Sequence, residues 1–279
     1  MCVHSWSARL YSGWSAAANE GVVSSRAFYC DCPAVARRNA HRTVLQTCTE
    51  GNRARNCCAG VCRPVRLFCL GLRMRQREKI IPVILAAGSS QSLPFPKALA
   101  LFGTKTALDI AVENCSFSRK VLVVLGADAQ RILSAVPKSS QVVINRKWHQ
   151  GQLSSLQAAL KNIEPDAAFL LYPVDHALIT RKIVEQLVRT FRTRSPSEEI
   201  VMPRHKGTDG HPVIVSAAVR SEFFQAATAR EVIYKNPKRI RLLNVRTTSI
   251  LEDFDTTESY EACLRKFKAR SRRRPAKQT

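Results

Sequence analysis

The sequence predicts an α/β fold, a mostly parallel sheet with helices on both faces. Three observations predict it: short unbroken apolar runs rich in β-branched residues recur along the chain, stretches with helical spacing separate them, and small-residue or acidic loops follow them. Residues 80–86 form the first run and lead into Ala87-Gly88-Ser89-Ser90, as a buried strand entering a tight loop would. Residues 106–115 are then expected as helix, 121–125 as strand, 127–136 as helix, 142–145 as strand, 153–163 as helix and 167–172 as strand. A helix over 179–189 and a strand over 200–202 follow, then strands at 211–215 and 241–245 and helices at 217–227 and 256–267. Ligands of open α/β sheets sit at the carboxyl ends of the strands, so chemistry is expected in the loops 88–97, from 126 onward, 146–155 and 173–176.

Composition divides the 279 residues into unlike parts. Residues 1–73 hold eight of the ten Cys and ten Arg against three acids, but no Lys. Their clusters, Cys30-Asp31-Cys32 and Cys57-Cys58-Ala59-Gly60-Val61-Cys62, lack the paired CxxC spacing of a zinc site, and no apolar periodicity accompanies them. Residues 1–18 also lack the uninterrupted apolar stretch of a secretory signal. We expect residues 1–73 to be a disordered or misassigned extension, with translation starting at or near Met74 and a catalytic domain spanning 74–264. Residues 265–279 carry eight Lys/Arg and no acid, as a basic disordered tail does. Of the formal charge of +23, +7 falls in 1–73 and +8 in the tail, leaving +8 on the domain. That balance suits a phosphate-bearing ligand without requiring nucleic acid. No apolar run reaches the 18 or so residues a spanning helix needs, which excludes a membrane helix. Cys115 and Cys263, the domain's two cysteines, form no disulfide framework, in keeping with a reducing cytoplasm.

The loop from Ala86 to Lys97 leaves its strand through small residues, lets backbone N–H groups approach an anion and ends in a lysine. It is neither a P-loop nor a GxGxxG fingerprint, because Gly88 stands alone, and a plain turn has the same composition. Five segments in order decide between them: Leu85-Ala86-Ala87-Gly88 with Pro96-Lys97-Ala98-Leu99, Gly151-Gln152-Leu153-Ser154-Ser155-Leu156, Tyr172-Pro173-Val174-Asp175-His176, Gly210-His211-Pro212-Val213, and Asp253-Phe254-Asp255-Thr256-Thr257-Glu258. Together, over residues 80–263, they resemble the MobA/MocA-like NTP transferases, the guanylyl- and cytidylyltransferases of the molybdenum cofactor.

The resemblance implies a Rossmann-like three-layer α/β/α nucleotidyltransferase fold and a Mg²⁺-dependent transfer of NMP, CMP rather than GMP, from an NTP to a phosphorylated acceptor such as molybdopterin cofactor. A sugar phosphate is the alternative acceptor, and a molybdoenzyme or its chaperone is the implied protein partner. By the same resemblance Lys97 and Asp175 are catalytic, and Asp175 and Asp255 hold the metal. Leu85, Ala86, Ala87, Gly88, Ser89, Lys97, Gly126, Ser154 and Ser155 bind the nucleotide, and His176 and His211 border the acceptor. Negative charge is the main obstacle to phosphoryl chemistry, which a divalent cation and a lysine answer. Other roles compete: Asp175 as a turn aspartate, Asp255 as the N-cap of a capping box with Glu258, and Ser154 or Ser155 as plain helix caps. Two positions depart from the pattern, Ser92 where the family has arginine and Pro94 where it has glycine. Their loss predicts weaker transition-state stabilisation, with a catalytically weakened nucleotide-binding protein as the second reading.

Overall fold

The computed structural model describes residues 78–272; the expectations for residues 1–73, including the Cys clusters, and for the chain beyond 272 lie outside the described residues. The elements are β1 (Ile80–Ala86), a short hairpin of β2 (Leu101–Phe102) and β3 (Lys105–Thr106), α1 (Ala107–Asn114), β4 (Val121–Leu125), α2 (Ala129–Leu133), β5 (Ser140–Ile144), α3 (Gln152–Leu160) and β6 (Ala168–Pro173). Then follow α4 (Arg181–Arg192), β7 (Ile200–His205), β8 (Thr208–Asp209), β9 (Val213–Val215), α5 (Ala229–Tyr234), β10 (Ile240–Asn244) and α6 (Thr257–Arg272).

The main sheet runs β10-β7-β9-β6-β1-β4-β5, with β8 attached to β7. β1 pairs in parallel with β4 and β6, β4 with β5, and β7 with β10. β9 is antiparallel to both β6 and β7, so the sheet is mostly parallel, as expected. Every residue of β1, β4 and β6 is buried, and their side chains alternate between two cores. Ile84, Val123 and Leu170 face one core, with Leu108 of α1 and Leu187 of α4; Val83, Leu122 and Phe169 face the other, with Leu156 and Leu160 of α3. A central sheet with a core on each face is the three-layer α/β/α arrangement.

Three sequence expectations are corrected. Residues 217–227 are not α-helix; Ala217–Phe224 is a 3₁₀ run. The strand expected from 211 begins at Val213. Residues 265–272 are helical rather than tail, because α6 runs on to Arg272. Its apolar residues Tyr260, Leu264 and Phe267 pack on the first core, and Arg270 donates to the Leu178 carbonyl at 2.7 Å. The i, i+4, i+7 spacing of those three holds the helix to the sheet layer past the start of the basic run.

Candidate active site

The chain moves from β1 outward through β4 to the edge strand β5, and then returns across α3 to β6 on the other side of β1. Connections diverge at β1 and β6, and the crevice outside their carboxyl ends is where such sheets bind ligands. Leu85 is in register with Pro173, and the Val174 amide donates to the Leu85 carbonyl at 3.1 Å. This brings the loop after β1 and the Asp175 turn after β6 to the same crevice.

The loop after β1 folds back on itself. Ser90 organises it: its carbonyl accepts from the Leu93 amide at 3.1 Å, and its Oγ accepts from the Lys97 amide at 2.9 Å. Leu93 is buried and anchors the loop, while Ser92 and Pro94 are exposed. A side chain at Gly88 would meet nothing within 4 Å, so the backbone there is open to an approaching ligand. Lys97 opens a 3₁₀ turn, Lys97–Leu99, which directs its side chain inward.

Asp255 reaches the crevice from the far end of the chain. The His211 amide donates to the Ile250 carbonyl at 2.9 Å, and Gly210 packs so tightly that a Cβ would come within 2.4 Å of that same carbonyl. Phe254 is fully buried and fixes the segment one residue before Asp255. Asp255 does not cap α6. Thr256 and Ser259 do, with the Thr256 amide donating to Ser259 Oγ at 3.0 Å and the Ser259 amide to Thr256 Oγ1 at 3.3 Å. The Asp255 carboxylate is left to Lys97.

Lys97 Nζ lies 3.3 Å from Asp175 Oδ2 and pairs with Asp255 Oδ1. Burial pulls the Lys97 pKa down, but its hydrogen bond to Asp255 and the charges of both carboxylates outweigh this and raise it above the ordinary lysine value. Asp175 Oδ1 is buried and has no hydrogen-bond partner. An orphaned carboxylate oxygen beside a second carboxylate fits a hard divalent cation, which takes its remaining ligands from water and phosphate. Among the described residues no cluster of three or more His, Cys, Asp or Glu could hold a metal.

Beside the ion pair is a cavity of about 290 Å³. Of the residues expected at the nucleotide, Leu85, Ala86, Ala87, Gly88, Ser89, Lys97 and Ser155 line it, together with Asp175. Gly126 and Ser154 do not. Gly126 lies behind the wall, where a Cβ would come within 2.3 Å of the Ala87 carbonyl and 2.6 Å of Trp148 Cβ. The Ser154 hydroxyl donates to the carbonyls of Lys147 and Gly151 at 2.9 and 2.8 Å. Sequence reasoning missed Ile132, Trp148, His149 and Gln152, which also line it, and Asn145, which braces it. Their signal was positional, since all but Ile132 lie at or just after the end of β5 or at the start of α3.

His176 is buried, and its ring centroid is 4.9 Å from that of His211. Burial lowers the pKa of both, and carries His211 to about 3. His211 lines a second cavity of about 260 Å³ with an apolar floor that includes Leu171 and Met202 and a rim that includes Arg230 and Tyr234; Gln152 lines both cavities. His176 lines neither.

The sequence profile of the family described as MobA-like NTP transferase domain matches residues 82–240. The molybdenum cofactor cytidylyltransferase of Escherichia coli (strain K12) is 26% identical over 137 residues, which cover 48% of this chain and 68% of the relative. The crystal structure of Rv0371c from Mycobacterium tuberculosis H37Rv superposes with a TM-score of 0.60 at 22% identity, covering 68% of this chain and 99% of that one. A second structure of Rv0371c, described as a complex with manganese, gives a TM-score of 0.55 at 22% identity over 67% and 98% of the two chains.

Proposed function

Because the chain belongs to the MobA-like NTP transferase family, we propose that it transfers CMP from CTP to a phosphorylated acceptor of the molybdopterin type and releases pyrophosphate. The observation that carries this reading is Lys97 held between Asp175 and Asp255 at the crevice of β1 and β6, beside the open backbone of Gly88. The likeness to a molybdenum cofactor cytidylyltransferase supports cytidine over guanosine and a cofactor as acceptor.

In this reading the triphosphate lies along the loop after β1, against its amides and the Lys97 ammonium. The acceptor's phosphate oxygen attacks the α-phosphorus in line, the bond from that phosphorus to the bridging oxygen of the β-phosphate breaks, and the electron pair leaves with pyrophosphate. Lys97 stays protonated and counters the charge that accumulates, a role that preorganised cations fill without reorganising. Asp175 and Asp255 would hold a divalent cation, Mg²⁺ by resemblance, which when bound neutralises phosphate charge. The manganese complex of Rv0371c is in keeping with a divalent site in this fold. The second cavity, with His211 on its wall, is the acceptor's place, and Gln152 joins it to the first.

One observation favours the weaker variant of this activity: among the described residues no arginine lines the nucleotide cavity, and Ser92 and Pro94 are exposed where the family pattern has arginine and glycine. The test measures pyrophosphate release with Mg²⁺, each of the four NTPs and molybdopterin-type cofactor. CTP-dependent turnover that Lys97→Ala and Asp175→Ala each lower by about 10²-fold or more is expected. Mg²⁺-dependent CTP binding without turnover would instead establish the weakened binder, and no binding of any NTP would end both readings.

A further inference from the structure

The two carboxylates that fit a divalent cation already hold Lys97. Its Nζ lies 3.3 Å from Asp175 Oδ2 and pairs with Asp255 Oδ1, so the ammonium and a cation shared by the two carboxylates draw on the same oxygens. The backbone is anchored at all three corners. The Lys97 amide donates to Ser90 Oγ at 2.9 Å and its carbonyl accepts from the Ala100 amide at 3.1 Å; the His176 amide donates to the Pro173 carbonyl at 3.3 Å across the Asp175 turn; the Asp255 amide donates to Ser259 Oγ at 3.0 Å. What remains free to move is the four-carbon stem of Lys97. The side chains of Lys97 and Asp175 are mostly enclosed, but that of Asp255 is 65% exposed, which opens the cluster to a hydrated ion from solvent. Charge decides what happens when one arrives. A divalent cation added with the ammonium in place sets three positive charges against two negative ones and presses two cations together, whereas loss of the ammonium leaves the charges balanced.

We infer that Lys97 is the internal counterion of the Asp175–Asp255 pair, and that a divalent cation enters the site by displacing its ammonium, which is then free to meet phosphate. The inference rests on the nucleotidyl-transfer reading, which asks Lys97 to face the triphosphate although in the ion pair it faces carboxylate. One lysine thus has two positions, and the metal selects between them. A cation arriving alone must break the ion pair, so its apparent affinity is lowered by the small fraction of chains in which Lys97 is already released. A triphosphate that takes up the ammonium removes that handicap. Metal and nucleotide therefore favour each other's binding through Lys97, in addition to any contact between them, and the help is reciprocal.

The test uses the full chain and metal without nucleotide, with two readouts. The first is Mn²⁺ affinity from the electron paramagnetic resonance signal of the free ion. Lys97→Met, which keeps the stem and removes the ammonium, is expected to bind Mn²⁺ about fivefold more tightly or better, the low end of ordinary coupling between two sites. Should Lys97→Met not unfold cooperatively, Lys97→Gln serves the same comparison. A lysine charge that merely repels the metal would also weaken its binding, so the second readout follows the ammonium itself. In chain labelled with ¹⁵N-lysine, the Lys97 Nζ resonance, identified by its absence from the variant, is expected apart from those of the exposed lysines and to join them when Mg²⁺ is added. An unchanged or weaker Mn²⁺ affinity in the variant overturns the inference. So does a Lys97 resonance that stays in place as Mg²⁺ saturates the site, or one that already lies among the exposed lysines before Mg²⁺ is added. Each of those results leaves the nucleotidyl-transfer reading standing, whereas failure of the unmodified chain to bind Mn²⁺ both alone and with CTP removes the metal site and this inference with it.

Discussion

Ser92 is the residue at which the smallest change is expected to produce the largest gain. It is exposed in the loop that closes on Lys97, so an arginine there meets no packing constraint and its guanidinium can swing to the triphosphate. Ser92→Arg is expected to raise the rate of pyrophosphate release by about tenfold or more, since a single oxyanion contact is commonly worth 10²-fold; an unchanged rate would show that the missing arginine is not what limits the chain. His211 gives the second residue-scale expectation. Burial holds its pKa near 3, below the ordinary histidine value, so the unfolded chain binds the extra proton first as pH falls. A depressed pKa contributes stability that is complete above about pH 6.5 and is lost progressively towards pH 3, about 2 kcal/mol of it by pH 5. Thermal unfolding at pH 7 and pH 5 should show this loss, and His211→Leu should flatten it. At this scale the three side chains that meet in the crevice were legible, because Lys97, Asp175 and Asp255 stand in short ordered motifs that resemble a known family. Asn145 and Trp148 were not, since a carboxamide that braces and an aromatic that lines a wall have no distinctive neighbours in sequence.

Among elements, legibility followed burial. β1, β4 and β6 are buried on both faces and so read as unbroken apolar runs, while β5, an edge strand with no fully buried residue, was placed two residues late. The direction of β9 was not legible, because Val213–Val215 is apolar throughout and would read the same in either orientation. The two-residue strands β2, β3 and β8 and the six-residue α5 are too short to carry a period. Gly126 shows what one element junction demands. Just past β4, it lets Ala87 and Trp148 close against the backbone, and a methyl group there would overlap a carbonyl oxygen 2.3 Å away. Gly126→Ala is therefore expected to cost about 1–3 kcal/mol and to weaken nucleotide binding at the same time, because the Ala87 wall must move into the cavity. Denaturant unfolding and CTP calorimetry on the one variant check both; a stable variant with unchanged affinity would show that the wall yields outward instead.

For the molecule as a whole, the sheet and both of its cores are built from residues 80–263, which raises the question of where a self-sufficient chain must begin. The answer lies just before β1. Glu78 accepts from Arg194 at 2.5 Å, from the Ser216 hydroxyl at 2.9 Å and from the Ala217 amide at 2.6 Å, and so ties the chain entering β1 to the segments that follow α4 and β9. Arg194 is largely enclosed, with its guanidinium 3.5 Å from the centre of the Phe191 ring, so removing its carboxylate leaves an enclosed charge unpaired. We propose that residues 1–73 are dispensable, and a chain starting at Met74 is expected to unfold cooperatively at the temperature of the full chain and to bind CTP equally well. A chain starting at Ile80 keeps every core residue but loses Glu78, and it is expected to be less stable by about 3 kcal/mol, as when one partner of a buried pair is removed. Parallel denaturant titrations of the two truncated chains separate the effects. Equal stabilities would show that Glu78 is only a surface contact, and a Met74 chain that fails to fold would show that the segment before it is part of the domain.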